Sequence, residues 1–217
     1  MRSLVEAVNN DPSLHNKTQV SLVVSNNRAA AGLEFARSQN IETRVVDHRG
    51  FKSRSEFDQA LRNELSGHVD LILLAGFMRI LGNEFVNQFE GRILNIHPSL
   101  LPKYPGLETH ARAIDAGDSH AGASVHFVTG ELDGGPVILQ AQVKIETGDT
   151  VETLAARVLS KEHVIYPLAL RYVLDGSIQY DSRCGQAICL HNGRTMDKPL
   201  VLDETLDEKT DDARMEH

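Results

Sequence analysis

The chain has little of what would hold a small secreted domain or a metal centre together. Two cysteines, Cys184 and Cys189, lie close together in a late, polar segment of the 217 residues. With no secretory context and no further ligands around them, they read as reduced bystander thiols rather than a disulfide or a metal site. His48, His68, His120, His191 and His217 are scattered, match no metal-ligand spacing and are expected at the surface. Metal is therefore not expected. No apolar run reaches the roughly 18 residues of a membrane-spanning helix. The opening Met1-Arg2-Ser3-Leu4-Val5-Glu6 brings an acid early and lacks the apolar centre of a signal peptide. No membrane partner and a cytoplasmic location are the expectation.

A basic stripe is missing as well. The formal charge is −8, and the segment from Asp203 to His217 holds seven acids against two bases. That leaves −3 on the remainder, a mildly acidic body that excludes a nucleic-acid surface as a main function. With 41% hydrophobic and 24% charged residues the composition is ordinary for a globular protein. Neither an internal repeat nor a dividing linker is evident. One domain over residues 1–200 is expected, followed by an acidic, solvated tail over 201–217.

What the chain does carry is an alternation of short apolar runs with helical patterns. Val20 to Ser25, Thr43 to Val46 and Leu71 to Ala75 read as buried parallel strands. Arg28 to Ser38 and Ser55 to Leu65 place apolar residues three and four apart, as helices do. Ser55-x-x-Asp58 and Asp149-x-x-Glu152 read as helix starts, the second followed by Leu154, Val158 and Val164 on one face. Pro167 is expected to kink or end that helix at Tyr166, and Gly176 to mark its final stop. Beyond it, Ala187 to Leu190 with the turn pair Asn192-Gly193 suggests a closing hairpin. This order predicts an α/β fold, a Rossmann-like open twisted, mostly parallel sheet with helices on both faces and ligands at the carboxyl ends of its strands.

The chemistry concentrates in NIHPSLLPKYPG, from Asn95 to Gly106, and in ELDGGP around Asp133. Asn95 and His97 stand two apart at the end of an apolar run, so in a strand their side chains share a face. An amide and an imidazole aimed into one space suit a reaction in which charge develops on a carbonyl oxygen. Asp133 would complete the set by holding the imidazole and favouring its protonated form. His126, inside SVHFV, faces either the site or the core.

These motifs, with LAGFMRIL (Leu74 to Leu81), SVHFVTGELDGGPVILQ (Ser124 to Gln140) and EHVIYP (Glu162 to Pro167), resemble the phosphoribosylglycinamide formyltransferases over about Met1 to Gly176. The resemblance implies formyl transfer from 10-formyltetrahydrofolate to the amine of glycinamide ribonucleotide, in purine synthesis. It needs no covalent intermediate and no metal, and suits a monomer or homodimer acting on small molecules. It assigns catalysis to Asn95, His97 and Asp133. Folate contacts fall to Met78, Arg79, Ile80 and Leu81, largely through backbone groups reading the pterin edge, to Arg54 near the folate tail, to the loop Thr129, Gly130, Glu131, Leu132 and Asp133, and to Asn95 itself. Glu162 corresponds to an acid that contacts the nucleotide substrate, and Leu101-Pro102 to a cis peptide. Two similar families share the Asn-x-His and Asp set. Methionyl-tRNA formyltransferase adds an RNA-binding domain, and formyltetrahydrofolate hydrolase adds a regulatory one; Pro98, Lys103 and Tyr104 fit the glycinamide ribonucleotide enzymes better. The hydrolase, or an inactive folate-binding remnant, is the alternative reading.

Members of the resembled family open with an apolar strand and a loop of the form G-x-G-S-N. In this sequence Met1 falls on the hydrophobic position that follows, and Arg2 to Val8 already read as a helix. The first strand and phosphate loop are therefore expected to be missing. Unpaired backbone on two neighbouring strands, poor stability and weak binding of the nucleotide substrate would follow.

Overall fold

A computed structural model describes residues 1–67, 69–189 and 199–202. The chain starts with helix α1 (Arg2–Asn10) and the short α2 (Pro12–His15). Then β1 (Leu22–Ser25), α3 (Ala31–Ser38), β2 (Glu42–Val45), α4 (Arg54–Leu65), β3 (Ile72–Leu74), α5 (Asn83–Gln88) and β4 (Ile93–His97) alternate. Helix α6 (Thr109–Asp115), strands β5 (His120–Phe127) and β6 (Val137–Lys144), and the long α7 (Val151–Leu174) follow. A hairpin of β7 (Ile178–Asp181) and β8 (Gln186–Cys189) and strand β9 (Leu200–Leu202) end the described part.

The α/β class is as expected. Pairing is parallel at β1–β2, β3–β4 and β6–β9, and antiparallel at β4–β5 and β5–β6. Among the described residues the strands do not join into one sheet. β1 and β2 form one pair, and β3-β4-β5-β6-β9 form a separate sheet of five. Both faces of β3 are used. Leu71 and Leu73 pack with Leu4, Val8 and the residues of α7, while Ile72 and Leu74 pack with Phe57, Leu61 and Phe85. This alternation is the period-two signature of a strand covered on both sides.

Several local expectations need correction. The cap of α4 is Ser53, whose hydroxyl accepts from the Glu56 N–H at 3.2 Å. Asp58, read as part of that start, is instead buried and accepts the Gly82 N–H at 2.8 Å. Helix α7 begins one residue later than expected, with Thr150 and Thr153 forming a reciprocal capping box. Pro167 does not end it, because α7 continues to Leu174. Ile165, Tyr166, Ala169 and Leu170 beside the proline are all buried in the core, and that packing outweighs one lost backbone hydrogen bond. Gly176, at φ +82°, does follow the end. The closing hairpin exists, but its turn is Ser182–Gly185; Asn192-Gly193 lies outside the described residues. The boundary at residue 200 also moves, since β9 carries sheet pairing to Leu202. Residues 203–217 are outside the described part, as are His68, His191 and His217. His120 is exposed, whereas His48 is half-buried and its Nδ1 accepts from Asn26 Nδ2 at 3.2 Å. The Leu101-Pro102 peptide is cis.

Candidate active site

β4 lies inside the five-stranded sheet and delivers Asn95 and His97 to one face near its carboxyl end. Antiparallel pairing with β5 sets Asn95 opposite His126 and His97 opposite Ser124. Tyr166 of α7 secures this position from beneath. Its buried hydroxyl lies 2.9 Å from the Leu74 carbonyl and 3.0 Å from that of Leu94, so one O–H group spans β3 and β4.

His126 decides how the Asn95 amide points. Its Nδ1 lies 2.9 Å from the Phe127 carbonyl, and its Nε2 lies 3.1 Å from Asn95 Nδ2. A carbonyl can only accept, so Nδ1 carries the proton. The ring is 2% exposed, and burial pushes its pKa below the ordinary histidine value. A neutral ring with Nδ1 protonated leaves Nε2 as acceptor, and Asn95 must present its NH2 group there. One of the two amide protons is used; the other remains for a ligand. His126 thus faces site and core together.

His97 is likewise buried. Its Nε2 donates to the Tyr104 carbonyl at 2.9 Å, and its Nδ1 lies 3.5 Å from Asp133 Oδ2. That same carboxylate oxygen accepts the Gly106 N–H at 2.8 Å, while Oδ1 lies 3.8 Å from His126 Nε2. Asp133 therefore ties the loop after β4 to both imidazoles. Tyr104, Glu108 and Asp133 all adopt left-handed backbone, at φ 56°, 59° and 49°. Such conformations are uncommon for residues with side chains, and two of the three, Tyr104 and Asp133, contact His97.

A second polar network fixes the loop that begins at Pro98. Ser124 Oγ donates to the Ser99 carbonyl at 2.6 Å and accepts from the Leu101 N–H at 3.0 Å. Gln140 Nε2 donates to the Leu101 carbonyl and to Ser124 Oγ, at 2.9 and 2.8 Å. Across the loop, Lys103 Nζ and the Tyr104 hydroxyl both bond Asp118 at 2.9 Å. Gly135 lets the Asp133 loop approach: a Cβ there would stand 1.9 Å from the Phe127 carbonyl oxygen.

Arg54, Ile80, Leu81 and Gly130 share the wall of one cavity of about 350 Å³, together with Arg62 and Asn83. The Leu81 side chain, at 7% exposure, belongs mainly to the core beneath. Arg79 turns its guanidinium over the Phe57 ring, 5.3 Å from the centroid. Met78 is 79% exposed and lines a different cavity, of about 650 Å³, with Met1, Asn26 and His48. The side chains of these four residues thus face different surroundings. Thr129 is half-buried; Gly130, Glu131 and Leu132 are exposed on the loop between β5 and β6. Glu162 is half-buried on α7, where burial raises its pKa against the opposing pull of the Met1 amino group.

The sequence reading passed over Ser124 and Gln140, although polar residues within otherwise apolar strands were a signal. It also passed over His110 on α6. The His110 Nδ1 is buried without a hydrogen-bond partner among the described residues, and burial together with nearby His97 lowers its pKa.

An amide donor and an imidazole held side by side by a carboxylate are suited to a developing oxyanion, and a formyl transferase family profile matches residues 2–170. The chain belongs to the formyl transferase family. It is 51% identical over 164 residues to phosphoribosylglycinamide formyltransferase of Escherichia coli (strain K12), covering 75% of this chain and 77% of that one. It is 45% identical over 166 residues to the human trifunctional purine biosynthetic protein adenosine-3, covering 76% of this chain but 16% of that much longer one. The solved phosphoribosylglycinamide formyltransferase from Coxiella burnetii superimposes with a TM-score of 0.82 at 40% identity, covering 92% of this chain and 93% of the other. Within the family the chain thus stands among the phosphoribosylglycinamide formyltransferases.

Proposed function

We propose that this enzyme transfers the formyl group of 10-formyltetrahydrofolate to the primary amine of N1-(5-phospho-D-ribosyl)glycinamide, a step of de novo purine synthesis in the cytoplasm. The observation that carries the reading is the Asn95 amide, oriented by neutral His126 with one proton spare, beside His97 and Asp133. The amine attacks the formyl carbon and a C–N bond forms, giving a tetrahedral intermediate with its charge on the former carbonyl oxygen. The spare Asn95 N–H donates to that oxygen. The His97 Nε2–H parts from the Tyr104 carbonyl to do the same, while Asp133 offsets the charge of the protonated ring. The proton lost by the amine is delivered to N10 of the folate as the C–N10 bond breaks. Tetrahydrofolate and the formylated glycinamide leave.

The cavity lined by Arg54 and Arg62 suits the anionic tail of the donor, because a guanidinium fork pairs well with carboxylates. Met78 to Leu81, Asn95 and the loop from Thr129 to Asp133 contact its pterin end, and Glu162 contacts the nucleotide. The catalytic domain runs to the end of β9 at Leu202, and the acidic end takes no part. Incubation with both substrates, followed by mass spectrometry, tests the reading. Formylated glycinamide ribonucleotide in equal amount to tetrahydrofolate is expected. Formate without the formylated product would make the enzyme a hydrolase; no turnover of a bound donor would make it a folate-binding remnant.

A further inference from the structure

His97 and Asp133 both take a partner from one short stretch of backbone. His97 Nε2 donates to the Tyr104 carbonyl at 2.9 Å, and Asp133 Oδ2 accepts the Gly106 N–H at 2.8 Å. These are main-chain groups, so their directions follow from the dihedral angles of residues 103–107. Tyr104 stands at φ 56°, left-handed backbone that is unfavourable for a residue with a Cβ. It also precedes Pro105, and a proline favours extended backbone in the residue before it. Local preference does not produce this turn. Contacts from outside have to hold it.

Three side chains supply them. Ser99 Oγ donates to the Lys103 carbonyl at 2.6 Å. Arg112 of α6 donates from Nη1 to the Pro105 carbonyl at 2.7 Å, and its guanidinium lies over the Tyr104 ring, 5.1 Å from the centroid. Asp118, just past α6, accepts both Lys103 Nζ and the Tyr104 hydroxyl at 2.9 Å. Its own N–H donates to the Ala113 carbonyl at 3.2 Å, which ties it to the end of α6. Lys103 holds the Asp118 carboxyl below the ordinary carboxylate range, so the Tyr104 hydroxyl meets a charged acceptor. Ser99 fixes the residue before Tyr104, and Arg112 meets only its ring face and the carbonyl after it. The Asp118 bond is the directional one to Tyr104 itself. Lys103 is largely exposed and its pairing is screened by water, so the hydroxyl bond does more of the holding.

We infer that Asp118 is a positioning residue for His97 and Asp133: it anchors the Tyr104 side chain and so fixes the Tyr104 carbonyl and the Gly106 N–H. It acts through the loop and not on the reacting atoms. Its effect on turnover rests on the proposed formyl transfer; its effect on the His97 ring does not.

The test compares Asp118→Ala, Tyr104→Phe and the double variant in the whole chain. Tyr104→Phe is the milder change, because it removes only the hydroxyl that Asp118 holds. In protein carrying ring-15N-labelled histidine, the His97 Nε2–H signal should move upfield in each variant as its bond to the Tyr104 carbonyl loosens. The His126 Nδ1–H, bonded to the Phe127 carbonyl, should stay in place. Turnover should fall about tenfold or more in Asp118→Ala, with KM changed less. The double variant should be no slower than Asp118→Ala alone, since both changes cut the same link. An unmoved His97 signal would overturn the inference. Equal movement of the His126 signal would do so too, because it would mean general loosening. Additive losses in the double variant, or unchanged kcat beside a shifted His97 signal, would also refute it. Failure of the unsubstituted enzyme to make formylated product would instead refute the proposed reaction, and the His97 signal would still decide the positioning.

Discussion

His126→Phe separates the proposed positioning role of this ring from simple core filling, because stability and activity move with pH in different ways. Phenylalanine keeps the ring's bulk but removes the bonds to the Phe127 carbonyl and to Asn95. Two ordinary hydrogen bonds contribute about 1–3 kcal/mol together, so near pH 8 the variant should be less stable by about that much. On acidification the comparison shifts. Burial lowers the pKa of His126 in the folded protein, whereas the unfolded chain takes up its proton near the ordinary value of about 6.5. Between the folded and unfolded values the unfolded state binds more protons, and folding loses stability as pH falls. Within that window the slope is at most about 1.4 kcal/mol per pH unit. Phenylalanine has no such slope. The two curves of unfolding free energy against pH, from urea denaturation, should therefore converge as pH falls below about 6.5. All other titrating groups are common to both proteins and cancel. Turnover of the variant at pH 8 should fall about tenfold or more, with smaller changes in KM, since the Asn95 amide loses its orienting partner. Parallel stability curves, or unchanged turnover, would refute the reasoning.

Asn95→Ala should lower kcat a few hundredfold, equivalent to about 3 kcal/mol of barrier, with KM changed less; steady-state kinetics in both substrates decides it. Asp133→Asn keeps the side chain's shape but removes the negative charge beside both imidazoles, so kcat should fall about tenfold or more with KM changed less; an unchanged kcat would dismiss that role. Tyr166→Phe leaves the Leu74 and Leu94 carbonyls without their shared donor and should cost about 1–3 kcal/mol in urea denaturation. Gly135→Ala forces a Cβ against the Phe127 carbonyl, so the Asp133 loop must shift and activity should fall further than Tm; an unchanged kcat would show that the approach can relax.

The sequence by itself placed the first strands and helices, α7 and the trio Asn95, His97 and Asp133 proposed to react. Apolar runs and helical spacing follow directly from which side chains must leave water, and they sufficed for β1 to β4 and for α3 and α4, while α5 was not foreseen. Asn95 and His97 could be set on one face because two residues along a strand return the side chain to the same side. The helix starts were misread by one or two residues, because Ser53 and Thr150 compete with equally plausible neighbours and only backbone geometry chooses between them. Tertiary packing alone decided that α7 runs through Pro167, that Met78 and Leu81 face different surroundings, and that β9 extends past residue 200. It alone set His126 against Asn95, Ser124 against Gln140 and Asp133 against Gly106, pairs separated by 31, 16 and 27 positions. Their partnership depends on strand register and loop closure, which local sequence does not encode.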